Sequence, residues 1–208
     1  MNEHSFINKN KMARITDKNR IERLKQSTMK LVVERGFGGA SASLIAKDAN
    51  VASGYFYMHY KGKYEMVNAL LHDVYQEVVQ KFEELTSLDS TFTSIVENMI
   101  RHFFTMANTD PNKLKFLYVL MNDYSFVIDK KLHDDIFKIL NILVYDGHSS
   151  GQLDKEISQS DLYLIVVINT IQYINQHYKN SNKRVVFRKE DEDHLIYLTN
   201  KILKEPGK

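Results

Sequence analysis

The sequence predicts an all-α protein for three reasons. The helix-breaking residues proline and glycine are rare over most of the chain, apolar residues recur at helical spacing, and no strand-like alternation is present. Only two prolines occur, and no glycine lies between Gly62 and Gly147. A stretch of that length without glycine is typical of long helices. Five of the eight glycines fall between residues 36 and 62, which predicts shorter elements in that part of the chain.

Three helices are predicted in the N-terminal part. The helical period begins at about Asn19, and Gly36 is expected to end this first helix as a C-terminal glycine does. Ser41 can cap a second, short helix, and Asn50 suits the turn after it because asparagine tolerates the left-handed conformation. A third short helix is predicted over residues 53–59.

Longer helices are predicted from Lys63 onward. The first extends to about Ser87 and carries apolar residues at a spacing close to that of a coiled-coil seam. Asp110 followed by Pro111 predicts a helix start, since proline is favoured at the first helical position. The next helices are predicted at about 91–107, 111–126, 130–146, 159–178 and 189–203. Residues 185–187 are the only short candidate for a strand and are interpreted as a loop.

The charge is divided unevenly along the chain. Residues 1–64 carry a net charge of +7 and residues 65–208 carry −5, although the whole chain carries only +2. A basic N-terminal part favours a polyanionic partner such as nucleic acid. The alternative is a solvated tail, because residues 1–18 are predicted to form a flexible basic arm.

Composition excludes several other classes of protein. Cysteine is absent, so neither a disulfide framework nor a thiolate metal site can form. The histidines show no metal-binding spacing, and we predict neither a metal site nor a cofactor. The opening residues lack the apolar core of a secretory signal, and the longest apolar run, residues 162–168, is far short of the ~20 residues that span a bilayer. We therefore expect a cytoplasmic protein with no membrane partner.

Two short helices joined by a tight turn, following a longer helix, predict a helix-turn-helix unit. In such a unit the second helix enters the major groove of DNA, while the first braces it across the backbone. The unit lies within the basic segment, which is the electrostatic context that DNA binding needs. A plain helical hairpin in a bundle is the alternative.

Residues 41–51 (SASLIAKDANV) and 52–66 (ASGYFYMHYKGKYEM) resemble the DNA-binding domain of the tetracycline-repressor (TetR) family. The upstream residues 33–37 and the Ile45-Ala46 pair also fit that family, so the resemblance covers about residues 20–66. It implies a helix-turn-helix domain over residues 19–63. Residues 64–208 would form a helical domain for ligand binding and dimerisation.

The family resemblance also implies which residues contact DNA. Tyr57 and His59 would reach phosphates or base edges, Gly54 would allow close approach, and Lys63 would pair with a phosphate beside a helix N-terminus. The full predicted set is Ser43, Ser53, Gly54, Tyr55, Tyr57, His59 and Lys63.

Three positions in this segment depart from the usual family pattern. Ala52 stands where a capping serine or threonine is common, Ser53 where lysine is common, and Tyr55 where threonine is common. One phosphate contact is therefore expected to be missing, and the preferred DNA sequence is expected to differ.

The second domain is rich in aromatic residues and methionine, which favours either core packing or a ligand pocket between bundle helices. No carboxylate or arginine lies within a buried apolar run, so the expected ligand is a small apolar molecule or an aromatic cation. The predicted pocket residues are Phe103, Met106, Phe116, Met121, Tyr124, Phe137, Asn169 and Tyr173.

The apolar run over residues 162–168 would be apolar on every side of a helix. One side can face its own domain, while the other needs a cover, for which a two-fold partner is the usual choice. The predicted homodimer contacts are Ile165, Ile168, Leu195 and Leu198. A central helix wrapped wholly by its own chain is the alternative.

Residues 147–151 match the G-x-S-x-G pattern of a hydrolase nucleophile elbow, but an amphipathic helix precedes them where a strand is required. We interpret them as a loop between helices and predict that the protein is not an enzyme. The prediction is a ligand-responsive transcriptional regulator, a repressor that binds a palindromic double-stranded DNA operator as a dimer. A regulator controlled by a protein partner is the main alternative, and a helical enzyme is a weaker one.

Overall fold

The computed structural model describes residues 3–88, 90–181 and 184–204, with side chains from residue 18 onward. Within those ranges every regular element is helical and no strand is present, which confirms the predicted fold class. The N-terminal helices are α1 (Glu3–Gly39), α2 (Ala42–Asp48) and α3 (Ser53–His59). The helices of the body are α4 (Lys63–Ser87), α5 (Phe92–Thr109), α6 (Pro111–Asn122), α7 (Lys130–Ser149), α8 (Gln159–Leu162), α9 (Asn169–Lys179) and α10 (Lys189–Leu203).

Helix α1 begins much earlier than the sequence analysis predicted. Its backbone is helical from Glu3, whereas the predicted start was near Asn19, after a flexible arm over residues 1–18. No glycine or proline interrupts residues 3–35, so nothing in the sequence stops the helix at its predicted start. The side chains of residues 3–17, including the basic ones of the predicted arm, lie outside the described part of the structure.

The predicted helix ends are confirmed where local residue chemistry determines them. Gly36 breaks the α1 helix with a φ of 72°, and Asn50 adopts a φ of 52° in the turn after α2. The Ser41 side chain accepts a hydrogen bond from the backbone N–H of Leu44 and so caps α2. Asp110 caps α6, with proline at its first position.

The three N-terminal helices enclose a small core of their own. Leu24 of α1, Ile45 of α2 and Phe56 of α3 are all fully buried. The Arg23 side chain donates to the backbone carbonyl of Ala49 at 2.9 Å, which ties α1 to the turn before α3. The position of α3 is thereby fixed from two sides, by packing beneath it and by the turn that leads into it.

The N-terminal unit is joined to the body through the carboxylate of Asp123, which directly follows α6. One of its oxygens accepts the backbone N–H of Phe37 at 2.8 Å, and the other accepts the backbone N–H and the hydroxyl of Ser125. These hydrogen bonds, foremost that of the Ser125 hydroxyl, lower the pKa of Asp123 below its ordinary 3.8. A backbone group of one part is thus held by an ionised side chain of the other.

Helix α4 reinforces the same junction from its first turn. The Lys63 ammonium donates to the Phe37 carbonyl at 2.5 Å and also lies over the Phe37 ring, 4.1 Å from its centroid. The Tyr64 hydroxyl donates to the carbonyl of Val127 at 3.0 Å, and the Asn68 side chain accepts the backbone N–H of Asp129. Since α4 belongs to both parts, the predicted domain boundary between residues 63 and 64 stays a prediction.

The apolar run over residues 162–168 does not form an ordinary α-helix. Residues Tyr163–Ile168 form a π-helical segment that continues α8 into α9 without a break. The backbone N–H of Asn169 donates to the carbonyl of Leu164, five residues back. A π-helical turn is wider than an α-helical one, so side chains after it are rotated from their α-helical positions.

We expect Asp123→Ala to lower the free energy of unfolding by about 0.5–1.5 kcal/mol, because it removes the acceptor of the partly buried N–H of Phe37. Chemical denaturation of the full chain measures this difference. The contribution of Asp123 to the free energy of unfolding should be present above pH 3.8. It should be lost as the pH falls through the lowered pKa of Asp123 in the folded state.

Glu83→Ala is the matched control, since it removes an exposed carboxylate from the surface of α4. Equal stabilities of the Asp123 and Glu83 variants at neutral pH would contradict the role of Asp123 at the junction.

Candidate functional site

Helix α3 presents one face to the core and the opposite face to solvent. Phe56 points inward, and at about 100° per residue Gly54 and Met58 lie nearly opposite to it. Tyr57 lies beside them. The side chains of Tyr57 and Met58 are 57% and 78% exposed. This outward face, formed by Gly54, Tyr57 and Met58, is the surface that a helix-turn-helix unit turns toward DNA.

Gly54 has no structural role within the described part of the chain. A Cβ atom built at this position meets nothing within 4 Å, and the residue is not in the left-handed region. Glycine inside a helix is nevertheless less favourable than alanine. The described part of the chain does not require glycine here, and the role of Gly54 in close approach to DNA stays a prediction.

Tyr55, one of the predicted DNA contacts, lies at the edge of the outward face and not on it. It is half-buried, with its ring centroid 5.5 Å from the Arg20 guanidinium and 4.7 Å from the ring of His59. The position falls on the side of α3 that faces α1, which a helical period alone does not reveal. His59, which contacts Tyr55 edge-on, is exposed.

The other predicted DNA contacts have different environments. Ser43 on α2 and Ser53 at the start of α3 are exposed, and both are accessible to a phosphate. Lys63 is half-buried and its ammonium contacts Phe37, and its pairing with a phosphate stays a prediction. Sequence analysis missed the exposed lysines Lys47, in the last turn of α2, and Lys61, between α3 and α4. Their position in the basic segment was the one feature of the sequence that could have indicated Lys47 and Lys61 as candidate DNA contacts.

The body contains a cavity of about 490 Å³ between α4, α5, α6, α7 and the π-helical segment. Among its lining side chains, only Tyr75, His133 and Tyr163 carry polar groups, and none is a carboxylate, a lysine or an arginine. Burial raises the pKa of Tyr163, so that its phenol is neutral. Met121 and His133 are exposed, which places an opening of the cavity beside them.

Three predicted pocket residues, Phe103, Met121 and Phe137, line this cavity. Five do not. Met106 and Phe116 are buried in packed core, while Asn169 is exposed. The remaining two are Tyr124, which is fully exposed, and Tyr173, whose ring packs against Phe104 and His177.

These corrections have two physical causes. Helix α6 ends at Asn122, so Tyr124 lies in a loop where helical spacing no longer applies. Asn169 directly follows the π-helical segment, which rotates the next positions away from the faces that an α-helix would give them. Sequence analysis also missed the α4 wall, where Val78 and Phe82 line the cavity, because the apolar spacing there was interpreted only as close to that of a coiled-coil seam.

The loop over residues 123–129, which we call the junction loop, lies between the cavity and the N-terminal unit. Phe126 and Ile128 of this loop line the cavity. The Phe126 ring also packs edge-on against the Phe37 ring, with centroids 5.1 Å apart. A single side chain therefore contacts both the interior of the body and the end of α1.

An apolar face on the outside of the body includes parts of α7, the π-helical segment and α10. Its exposed side chains are Ile142, Tyr145, Leu164, Leu198 and Ile202, with exposures from 42% to 72%. Helix α10 packs beside the π-helical segment, and α7 packs beside α8. We call this set the outer apolar face.

The predicted dimer contacts agree with this face in part. Leu198 is exposed, but Ile165 and Leu195 are buried within the chain, and Ile168 lines the cavity. Within the π-helical segment it is Leu164 that points outward, at 51% exposure. The prediction assumed α-helical geometry, and the wider π-helical turn changes which residue faces out.

Residues 147–151 do not form a nucleophile elbow. Gly147 and Ser149 belong to the last turns of α7, and no strand precedes them. A Cβ atom at Gly147 would lie 2.7 Å from the side chain of Leu153 and 2.9 Å from that of Phe92, so this glycine permits close helix packing. Within the described residues, no three His, Asp or Glu side chains group closely enough to hold a metal ion. No helix there is long and apolar enough to cross a membrane.

Comparison with known proteins gives two kinds of match by sequence. Residues 26–70 match the family described as bacterial regulatory proteins, tetR family. The fatty acid metabolism regulator protein of Bacillus subtilis (strain 168) is 22% identical over 130 residues, which cover 61% of this chain and 67% of that protein.

Solved structures match over nearly the whole chain. A TetR-family transcriptional regulator from Haemophilus influenzae RD has a TM-score of 0.70 at 18% identity, covering 91% of this chain and 99% of that chain. The transcriptional regulator FadR from Bacillus subtilis, in complex with stearoyl-CoA, has a TM-score of 0.66 at 16% identity, covering 86% and 96% respectively. At such identities the similarity concerns the fold.

We expect Gly54→Ala to separate stability from DNA binding. The added methyl group meets nothing within the chain and favours the helix, so the free energy of unfolding should be unchanged or rise by up to about 1 kcal/mol. DNA affinity should fall, because the methyl group stands between α3 and the groove. Denaturation and fluorescence anisotropy with labelled DNA measure the two effects.

Lys155→Ala, an exposed substitution in the body, is the control for both measurements. An alanine variant at position 54 that binds DNA as tightly as the wild type would remove Gly54 from the contact surface.

Proposed function

We propose that this chain, of which residues 26–70 match the tetR family of bacterial regulatory proteins, represses transcription from a palindromic operator until an apolar ligand fills its cavity. One observation carries this proposal. Phe126 lines the cavity and contacts Phe37 of the N-terminal unit, so a change inside the body reaches the DNA-binding part through one side chain.

Binding to DNA is supported by the outward face of α3 and by the charge around it. Tyr57 and His59 offer polar groups to base edges and phosphates, and Lys47 and Lys61 add exposed positive charge on either side. Phosphate contacts of this kind position a protein on the duplex, while base contacts select the sequence. Affinity for the operator should therefore decrease linearly with salt on logarithmic axes.

The composition of the cavity favours a ligand with a long apolar part. Burial of an unpaired charge among these side chains would be costly, and no described lining residue offers a permanent countercharge. The relatives named for fatty acid metabolism, one of them solved with stearoyl-CoA, support an acyl chain as that apolar part. The polar end of such a ligand would lie at the opening beside Met121 and His133.

An aromatic cation is the second candidate ligand. The cavity wall contains several aromatic rings, among them Phe82, Phe103 and Phe137, which can hold a cation by cation–π attraction. Without a carboxylate in the lining, this attraction alone would have to offset the desolvation of the charge. An acyl chain has no such cost, and we therefore favour it.

The junction loop is the element that the ligand would shift. Ligand atoms in the cavity would press on Phe126 and Ile128, which follow Asp123 in the same loop, and Asp123 holds Phe37. A ligand releases DNA only if it binds the non-DNA conformation more tightly, and the coupling is then equal in both directions. A regulator controlled by a protein partner would not need the cavity, so its presence favours a small molecule.

Dimerisation is supported by the outer apolar face. Leu164, Leu198 and Ile202 expose apolar surface together on neighbouring elements, which is unfavourable in water unless another surface covers it. A two-fold partner presenting the same face would cover it symmetrically. Two copies of α3 would then address two half-sites of one operator.

We expect Leu164→Glu to give monomers, because it places a charge in an apolar interface. Selection of bound DNA from a random pool should yield a near-palindrome for the wild type, with half-site centres about 34–36 Å apart or a multiple of that. The variant should bind that operator much more weakly. Analytical ultracentrifugation measures the oligomeric state.

Val186→Glu is the matched control, since it introduces the same charge at an exposed apolar residue outside the outer apolar face. A dimeric Leu164 variant, or a wild type that selects a single half-site, would contradict this mode of assembly.

We expect Val78→Trp to bind the operator normally but to lose its response to ligand, because the indole occupies part of the cavity. Stearoyl-CoA, stearic acid and a benzyl quaternary ammonium ion are the probes, added to the protein–operator complex while anisotropy is measured. Release of wild-type protein by the acyl probes and not by the cation would support the favoured ligand class.

Val79→Trp controls for bulk on the same helix, since Val79 is half-buried and does not line the cavity. Equal stearoyl-CoA affinity with and without operator would show that the cavity is not coupled to DNA binding.

A further inference from the structure

We propose that Met58 recognises a thymine in each half-site by packing its side chain against the C5-methyl group of that base. The assignment rests on the proposed function, because it requires that α3 lies in the major groove. It adds a specificity-determining residue that neither the sequence pattern nor the family resemblance indicated.

The position of Met58 supports a contact with bases. It lies one helical turn after Gly54, on the face opposite the buried Phe56. Gly54 has no side chain, and no atom of the protein lies within 4 Å of the place where its Cβ would be. The side chain of Met58 therefore lies on the outward face next to the open space left by Gly54.

The exposure of Met58 supports an apolar partner. At 78% it is the more exposed of the two large hydrophobic residues, Tyr57 and Met58, that face solvent within the described residues 18–62. Tyr57 has a hydroxyl that hydrogen-bonds with water or DNA, whereas the thioether of Met58 is only a weak acceptor. Burial of Met58 is thus favourable only against another apolar group.

Major-groove chemistry then limits the choice of base. The edges of guanine, adenine and cytosine present hydrogen-bond donors and acceptors, while thymine alone presents a methyl group. A flexible, unbranched side chain such as methionine can adapt to such a group without a fixed geometry. Thymine is consequently the base that Met58 would favour where a base edge approaches Gly54.

The test uses the full-length protein and the operator selected by the wild type. Each thymine of the half-site is replaced in turn by uracil, symmetrically in both half-sites, which removes only the C5-methyl group. Binding of the wild type is compared with that of Met58→Gln, which keeps the length of the side chain but makes its end polar. Met58→Leu, which stays apolar at similar volume, is the matched control.

At one thymine position, uracil should weaken wild-type binding by about fourfold per half-site, the effect of burying one methyl group. Met58→Gln should bind thymine and uracil equally at that position, while Met58→Leu keeps the preference. Because the side chain is exposed, all three proteins should have the same stability.

Three outcomes would overturn the assignment of Met58. The wild type could be indifferent to every replacement, or Met58→Gln could keep the full preference for thymine. If Met58→Gln instead bound all DNA sequences more weakly by the same factor, Met58 would lie against the sugar–phosphate backbone. Failure of the wild type to select any DNA would overturn the proposed function as well, so the two failures are distinguishable.

Discussion

The hydrogen bond from the Phe37 N–H to the Asp123 carboxylate determines how the two parts of this molecule are held together. It requires that α1 is broken at Gly36, where φ is 72° and a side chain would lie 3.3 Å from the carboxylate. It also requires that Asp123 is ionised, which the Ser125 hydroxyl and the surrounding N–H groups ensure. Lys63 and Phe126 then pack on the two sides of Phe37. The orientation of α3 thus depends on a contact far from the groove.

The cavity and the DNA-binding face have opposite requirements for packing. Leu24, Ile45 and Phe56 are fully buried in the N-terminal core, and this packing holds α3 with its outward face toward solvent. The body leaves about 490 Å³ unfilled next to the junction loop. A protein interior with a void loses packing energy, so the body is more stable when something occupies the void. Rigidity is therefore concentrated in the part that contacts DNA and adaptability in the part that binds the ligand.

Sequence analysis succeeded where a single residue determines local structure and failed where orientation in three dimensions decides. Gly36, Asn50 and Ser41 act through their own backbone or side chain, so their roles could be predicted. Ile165 was misplaced because apolar composition does not reveal a π-helical turn. Tyr124 was misplaced because the end of α6 depends on the contacts of Asp123 with a distant segment. A pocket between the bundle helices was predicted, but most of its lining was not, since the lining is defined by what the packing of five elements leaves empty.

The near absence of polar groups in the cavity has a consequence for what this regulator detects. Because few polar groups in the cavity can make directional contacts, the affinity for a ligand depends on two quantities. These are how well the ligand partitions from water into an apolar environment and how much of the cavity volume it fills. Different compounds of similar length and lipophilicity would then act interchangeably, and their effects would add. Such a protein would not identify one metabolite. It would measure the combined concentration of a chemical class, and the genes under its control would respond to that total.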